Sequence, residues 1–162
     1  MKKTLLLTLI FLLFSASDAY SCSCLKSKIK EGFKNSDLIF IGKVINEEWN
    51  TSTEKIANTN KTEEYKRVTY TFLINEFIKG TESIREVEIT TSGFEGDCGM
   101  SFEVGAEYLI YSYEIDYRTT SNLYLISEKV KPYFTTDLCT RTNYINNVKQ
   151  RELKKLKRLA KK

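Results

Sequence analysis

Histidine is absent from all 162 residues. That absence removes the usual general base, the usual activator of a serine or cysteine nucleophile and the commonest zinc ligand together. Only Asp, Glu, Tyr, Lys and Ser remain as candidate catalysts, and no enzyme is expected. Glu95 and Asp97 are close in sequence, but carboxylates in a glycine-rich stretch are usually polar turn residues. Long apolar runs are scarce as well. The longest, residues 5–14, covers ten residues where a bilayer-crossing helix needs about 20. Internal repeats and low-complexity tracts are also missing.

What stands at the N-terminus is a Lys2-Lys3 head, that apolar run, and an ending in Ala19-Tyr20-Ser21. This reads as a secretory signal peptide over residues 1–21, cut before Cys22 because Ala19 and Ser21 supply the small residues the peptidase needs. A lipoprotein signal would carry Leu in place of Ala19, so a lipid anchor is the less favoured reading. The expected location is secreted, periplasmic or extracellular. The remaining length suits one domain, and ten Tyr and nine Phe supply much of its core area. The four cysteines, Cys22, Cys24, Cys98 and Cys139, all fall in the exported part, and their even number suggests two bridges among three connectivities. A bridge between Cys22 and Cys24 would be strained, so both reach forward.

Hydrophobic pattern predicts a mainly β chain. Residues 25–35 carry Leu25, Ile29 and Phe33 at four-residue spacing, a short helix or turn lying on the sheet. Residues 37–45 (DLIFIGKVI) read as a long buried strand bent or bulged at Gly42. Residues 46–64 are mostly polar and predict an exposed loop, with Trp49 its only aromatic residue and a candidate contact. Further strands are expected over 65–78, 85–91, 101–104, 108–113 and 123–126, with a tight glycine-rich connector over 92–99. From Asn143 onward, Ile145, Val148, Leu153, Leu156 and Leu159 recur among basic residues as an amphipathic helix. The organisation is thus a β domain over 22–142 followed by a basic helix over 143–162.

Charge separates along the chain. Residues 149–162 hold eight Lys or Arg against Glu152 alone, so the overall net charge of +4 hides an acidic body. The basic helix is either a solvated face packed on the barrel or a contact for an anionic surface such as lipid headgroups or polysaccharide. Nucleic acid is not an expected partner of an exported chain. Asn50-Thr51-Ser52 and Asn60-Lys61-Thr62 are glycosylation sequons, meaningful only in a eukaryotic source.

Cys22-Ser23-Cys24, then Asn35-Ser36-Asp37-Leu38-Ile39, Gly42-Lys43-Val44, Phe77-Ile78-Lys79-Gly80, Asp97-Cys98-Gly99, Gly105-Ala106-Glu107-Tyr108-Leu109-Ile110 and the late Cys139 occur in one order. Together they resemble the inhibitory N-terminal, netrin-like domain of the tissue inhibitors of metalloproteinases (TIMPs). The resemblance implies a five- to six-stranded OB-fold barrel with Cys22 bridged to Cys98 and Cys24 to Cys139. It also implies that the free amine and carbonyl of Cys22 chelate the catalytic zinc of a metalloprotease. Ser23 would enter the protease's specificity pocket, with Cys24, Leu25, Gly96 and Asp97 beside it. No cofactor of its own is implied. The chain departs from the family where Leu25-Lys26-Ser27 replaces a proline-rich stretch, Pro132 being its single proline. Lys34 stands where a further cysteine would precede Asn35, and the basic helix replaces a cysteine-rich subdomain. The competing expectation is an extracytoplasmic netrin-like binding module that contacts its partner through loops or the basic helix.

Overall fold

The computed structural model describes residues 24–55, 62–80, 84–93, 98–120 and 126–161. Helix α1 (Ile29–Asn35) leads into β1 (Leu38–Lys55) and β2 (Thr62–Lys79). These are followed by β3 (Glu86–Ser92), β4 (Glu107–Thr120), β5 (Ile126–Thr135) and the short β6 (Asn143–Tyr144). A single 3-10 turn then precedes helix α2 (Gln150–Ala160). Hydrogen bonding runs β1-β2-β3-β5-β4, and β4 pairs back onto β1. That closes a five-stranded ring, antiparallel throughout except between β3 and β5, which is the OB-fold connectivity. β6 adds to the free side of β4.

The run Leu38-Ile39-Phe40-Ile41 is apolar at every position because both faces of β1 are covered. Alternate residues of a strand point to opposite faces. Leu38, Phe40 and Val44 point into the barrel with Tyr70, Phe72, Val87, Ile89, Tyr108 and Ile110. Ile39 and Ile41 point outward, with Ile78, Leu109 and Tyr111, and are roofed by Leu156 of α2 and by Ile29 and Phe33 of α1. Each fully buried side chain of this size contributes roughly 1.5–3 kcal/mol. The two helices are thereby fixed on one flank of the barrel. Gly42 sits at a register shift against β2, as the bulge reading expects; a Cβ there would lie 2.8 Å from the Phe40 ring and 2.9 Å from the Leu73 carbonyl.

Several expectations are corrected. The polar segment 46–64 is largely not a loop: β1 runs on to Lys55 and β2 starts at Thr62, paired from Asn46↔Thr71 out to Lys55↔Thr62. Backbone pairing needs no apolar alternation, so the segment's polar composition concealed it. Residues 101–104 form no strand. Phe102 instead plugs the barrel, edge-to-face with Tyr108 at 4.9 Å, Tyr70 at 5.1 Å and Phe72 at 5.2 Å. The strand expected over 108–113 extends to Thr120, and the one expected over 123–126 overlaps undescribed residues, whereas β5 occupies 126–135. Pro132 falls where β4 and β5 slip register between Ile115 and Tyr117, a place that asks nothing of its missing N–H. The C-terminal helix begins at Gln150, not Asn143, and α1 begins after Leu25, which is 98% exposed.

Candidate functional site

The N-terminal segment enters beside α1 and is fastened at Cys24, which is bridged to Cys139 across 115 positions with a Cα–Cα distance of 5.0 Å. The Cys98 sulfur joins the same spot, the three sulfur atoms lying within 4.8 Å of one another. All three cysteines are disulfide-bonded, so the cluster offers no thiolate to a metal. Backbone contacts tie the loops together as well: Leu138 N–H donates to the Cys98 carbonyl at 2.9 Å, and Met100 N–H donates to Thr91 Oγ1 at 2.9 Å.

Asp137 shapes the turn that carries Cys139. Its Oδ1 accepts from the backbone N–H of Cys139 at 2.8 Å and of Thr140 at 3.0 Å, while its Oδ2 accepts from the Tyr113 hydroxyl at 2.9 Å. Burial, and then the Asp137 charge, push the Tyr113 hydroxyl well above its ordinary value, so it stays a donor. Beneath the turn, Thr136 Oγ1 donates to the Tyr111 carbonyl at 2.9 Å, and Tyr111 N–H donates to Thr142 Oγ1 at 2.8 Å. These hydroxyls satisfy backbone groups of β4 that no strand partner reaches.

Arg141, two residues beyond Cys139, is the junction of the site. Its Nη1 donates to the Ser27 carbonyl at 2.7 Å, and its Nε and Nη2 donate to the two Glu152 oxygens at 2.7 and 2.6 Å. The Tyr111 hydroxyl donates to Glu152 Oε1 at 2.8 Å. Burial would raise the Glu152 carboxyl, but hydrogen bonds from Arg141 and Tyr111, with the charges of Arg141 and Lys26, hold it below the usual range. A single guanidinium therefore links the N-terminal segment, the Cys139 loop, the barrel and α2. α1 comes close to it at Gly32, where a Cβ would lie 2.9 Å from Arg141 Cδ.

This arrangement holds backbone rigid and leaves apolar side chains in water. Leu25, next to Cys24, is 98% exposed and Leu138, next to Cys139, is 48% exposed. A cavity of about 290 Å³ lies behind them, bordered by Ser27, Ser36, Tyr113, Asp137, Cys139 and Arg141. There the Tyr113 hydroxyl donates to Asp137, the Ser36 hydroxyl donates to the Gly32 carbonyl at 2.8 Å, and Arg141 is held by Ser27 and Glu152, so the rim is suited to contacting another surface.

Of the residues singled out from sequence, Cys24, Leu25, Cys98 and Cys139 are brought together here. Cys22, Ser23, Gly96 and Asp97 lie outside the described residues. Sequence reasoning missed Asp137, Leu138 and the Arg141–Glu152–Tyr111 group. The available signal was Glu152, the single acid among eight cations in 149–162. Trp49, expected as a contact, is 57% exposed, with its ring over Gly93, where a Cβ would stand 2.6 Å from it. Among the described residues no helix is long and apolar enough to cross a membrane.

A family model described as tissue inhibitor of metalloproteinase matches residues 20–127. No curated protein matches the chain.

Proposed function

Because the chain belongs to the tissue inhibitor of metalloproteinase family, we propose that it is a secreted inhibitor of zinc metalloproteases that grips the protease zinc with the free amine and carbonyl of Cys22. The observation that carries this reading is the Cys24–Cys139 bridge with the Cys98 sulfur within 4.8 Å. Cys98 is oxidised, and with Cys24 and Cys139 joined, the chain's remaining cysteine is Cys22. Bridges Cys22–Cys98 and Cys24–Cys139 would clamp a three-residue start at both ends, so little ordering entropy is lost on binding. The amine and carbonyl of one residue close a five-membered ring on a metal, and an α-amine with a pKa near ~8 gives up its proton readily there. The Cys22 sulfur is not the ligand, since a bridged sulfur has no free thiolate.

In this reading Ser23 enters the protease's specificity pocket, and Leu25, Gly96 and Asp97 flank it. A small Ser23 fits several pockets. The chain is an inhibitor and not an enzyme, brings no cofactor of its own, and uses only its partner's zinc. Two bridges also require an oxidising compartment, which supports export.

The test compares oxidised protein beginning at Cys22 with the same protein carrying one added alanine, against a panel of zinc endopeptidases. Inhibition by the first form, lost by orders of magnitude in the second at an unchanged unfolding midpoint, is the expected outcome. A netrin-like binding module that contacts partners elsewhere would be indifferent to the added residue. Failure of the Cys22 form to inhibit any of the panel overturns the proposal.

A further inference from the structure

The two helices carry the positive charge of the folded chain. Residues 24–36 and 145–161 contain eleven Lys or Arg against Glu31 and Glu152, whereas residues 37–144 contain eleven against eighteen Asp or Glu. Glu152 is consumed by Arg141, and Glu31 caps α1 by accepting the Lys28 backbone N–H at 3.1 Å. Because Ile29 and Phe33 of α1 and Leu153 and Leu156 of α2 pack on one cluster, both helices cover the same flank of the barrel. Their outer sides therefore look the same way.

Along α2 the exposed residues Arg151, Lys154, Arg158 and Lys161 follow at intervals of three, four and three, on the side opposite Leu153 and Leu156. At 1.5 Å per residue the row is about 15 Å long. Among the described residues none of the four has a carboxylate partner, while Lys157, off the row, pairs with Glu76 at 2.8 Å. Like charges one turn apart on a helix repel, so this row weakens the helix that bears it and gains from an external anion. Lys26, Lys28, Lys30 and Lys34 are exposed alongside. At the seam, Lys26, Lys149, Asn143 and Asn147 border a cavity of about 220 Å³.

We infer that this two-helix flank is a docking platform for an anionic lipid bilayer, held by charge at the headgroups and without insertion. The apolar faces of both helices are already spent on the barrel, which leaves none for the acyl chains. Nine of the eleven cations are lysines, flexible point charges that need no fixed partner geometry. Clusters of this size on a helix are the usual mark of anionic-lipid recognition. The acidic barrel would be repelled from the same surface, so the molecule would sit helices down. The inference stands apart from the inhibitor reading and uses none of Cys22 to Leu25.

The experiment is co-sedimentation of the oxidised protein with vesicles of phosphatidylcholine alone or with about one third phosphatidylglycerol. Binding is expected only to the latter and should weaken steeply with salt. Each cation near such a surface is worth roughly a fivefold change in affinity, so R151Q/K154Q/R158Q/K161Q should lose on the order of several hundredfold. The four side chains point to solvent, and an unfolding midpoint no lower than the parent's would confirm that the variant is folded. K43Q/K66Q, on the barrel, should bind as the parent does. The idea is overturned if the parent ignores the anionic vesicles at low salt, if the fourfold variant sediments undiminished, or if soluble dextran sulfate is bound while the vesicles are not.

Discussion

Arg141 holds Glu152 in a two-pronged grip, Nε to Oε1 at 2.7 Å and Nη2 to Oε2 at 2.6 Å, while its remaining nitrogen holds the Ser27 carbonyl at 2.7 Å. One end of this contact lies two residues past Cys139 and the other on the C-terminal helix. The segment that carries Cys24 is therefore positioned twice, by a covalent bridge and by a guanidinium that takes its own position from α2. The basic helix, which reads in sequence as either packed on the barrel or a contact for an anionic surface, is a buttress of the candidate site.

Arg141→Ala should accordingly cost stability and function together. Removing one partner of a buried pair leaves the other charge unpaired, at roughly 3–5 kcal/mol. With side-chain exposures of 18% and 11% the lower end, about 3 kcal/mol, is expected. Urea midpoints would measure it, and the double variant Arg141→Met/Glu152→Leu should lose less than the two single variants summed. Strict additivity would mean that the two residues do not act as a unit.

The same group sets a pH window. The folded-state Glu152 carboxyl lies below its ordinary value of 4.5, so the unfolded chain binds that proton more tightly. The stabilisation is complete above pH 4.5 and is lost as pH falls through the folded value. Tyr111 and Tyr113 are shifted the other way, first by burial and then by Glu152 and Asp137 respectively. Their contribution is present below their ordinary value of 10.0 and is lost as pH rises through the folded values. Unfolding midpoints should thus be level between about pH 5 and 10 and decline on both sides. Glu152→Gln should flatten the acid limb; an acid limb of unaltered slope in that variant would assign it to other carboxylates.

Breaking the bridge with Cys24→Ser/Cys139→Ser should remove roughly 4–5 kcal/mol on the chain-entropy account for a 115-residue separation, and less if a second bridge already restricts the unfolded chain. Inhibition should fall further than stability does, because Cys24 and Leu25 would lose their direct tie to the Cys139 loop and the segment would be held only by the proposed Cys22–Cys98 bridge and by the Arg141–Ser27 contact. Equal inhibition by the parent and this variant, measured where both are folded, would remove preorganisation from the account.

How much of this was legible in the sequence follows from what each residue must satisfy. DLIFI announced a strand because both its faces are buried, and Gly42 announced a bulge because no side chain fits between Phe40 and the Leu73 carbonyl. Cys24 and Cys139 came together as the family resemblance implied. The β1–β2 extension was illegible because residues 46–64 are mostly polar and show no apolar alternation to give a period. Phe102 looked like a strand residue because a plug and a strand bury the same kind of side chain. Arg141 with Glu152 could not be read as a pair, since their partnership depends on where α2 docks, and docking is a property of the packed core.

Gly99 gives the most local test of the site, and one whose steric reason is on the backbone. A Cβ at this position would lie 2.2 Å from the Ser92 carbonyl oxygen and 2.9 Å from its carbon, neither of which can rotate away. Gly99→Ala must therefore lift the 98–100 segment off the end of β3, straining the Met100–Thr91 and Leu138–Cys98 hydrogen bonds and shifting Cys98 itself. The expected cost is roughly 1–3 kcal/mol, with a clear loss of inhibition. Gly105 is the control: its φ of +92° disfavours alanine, but nothing lies within 4 Å of the added carbon, and it sits in the turn before β4, away from the cysteine cluster. Gly105→Ala should lose about 1 kcal/mol and keep its inhibition. If both variants lose stability and both inhibit fully, the fit of the Cys98 loop against β3 does not position the inhibitory edge, and the contact between Gly99 and Ser92 is a matter of folding alone.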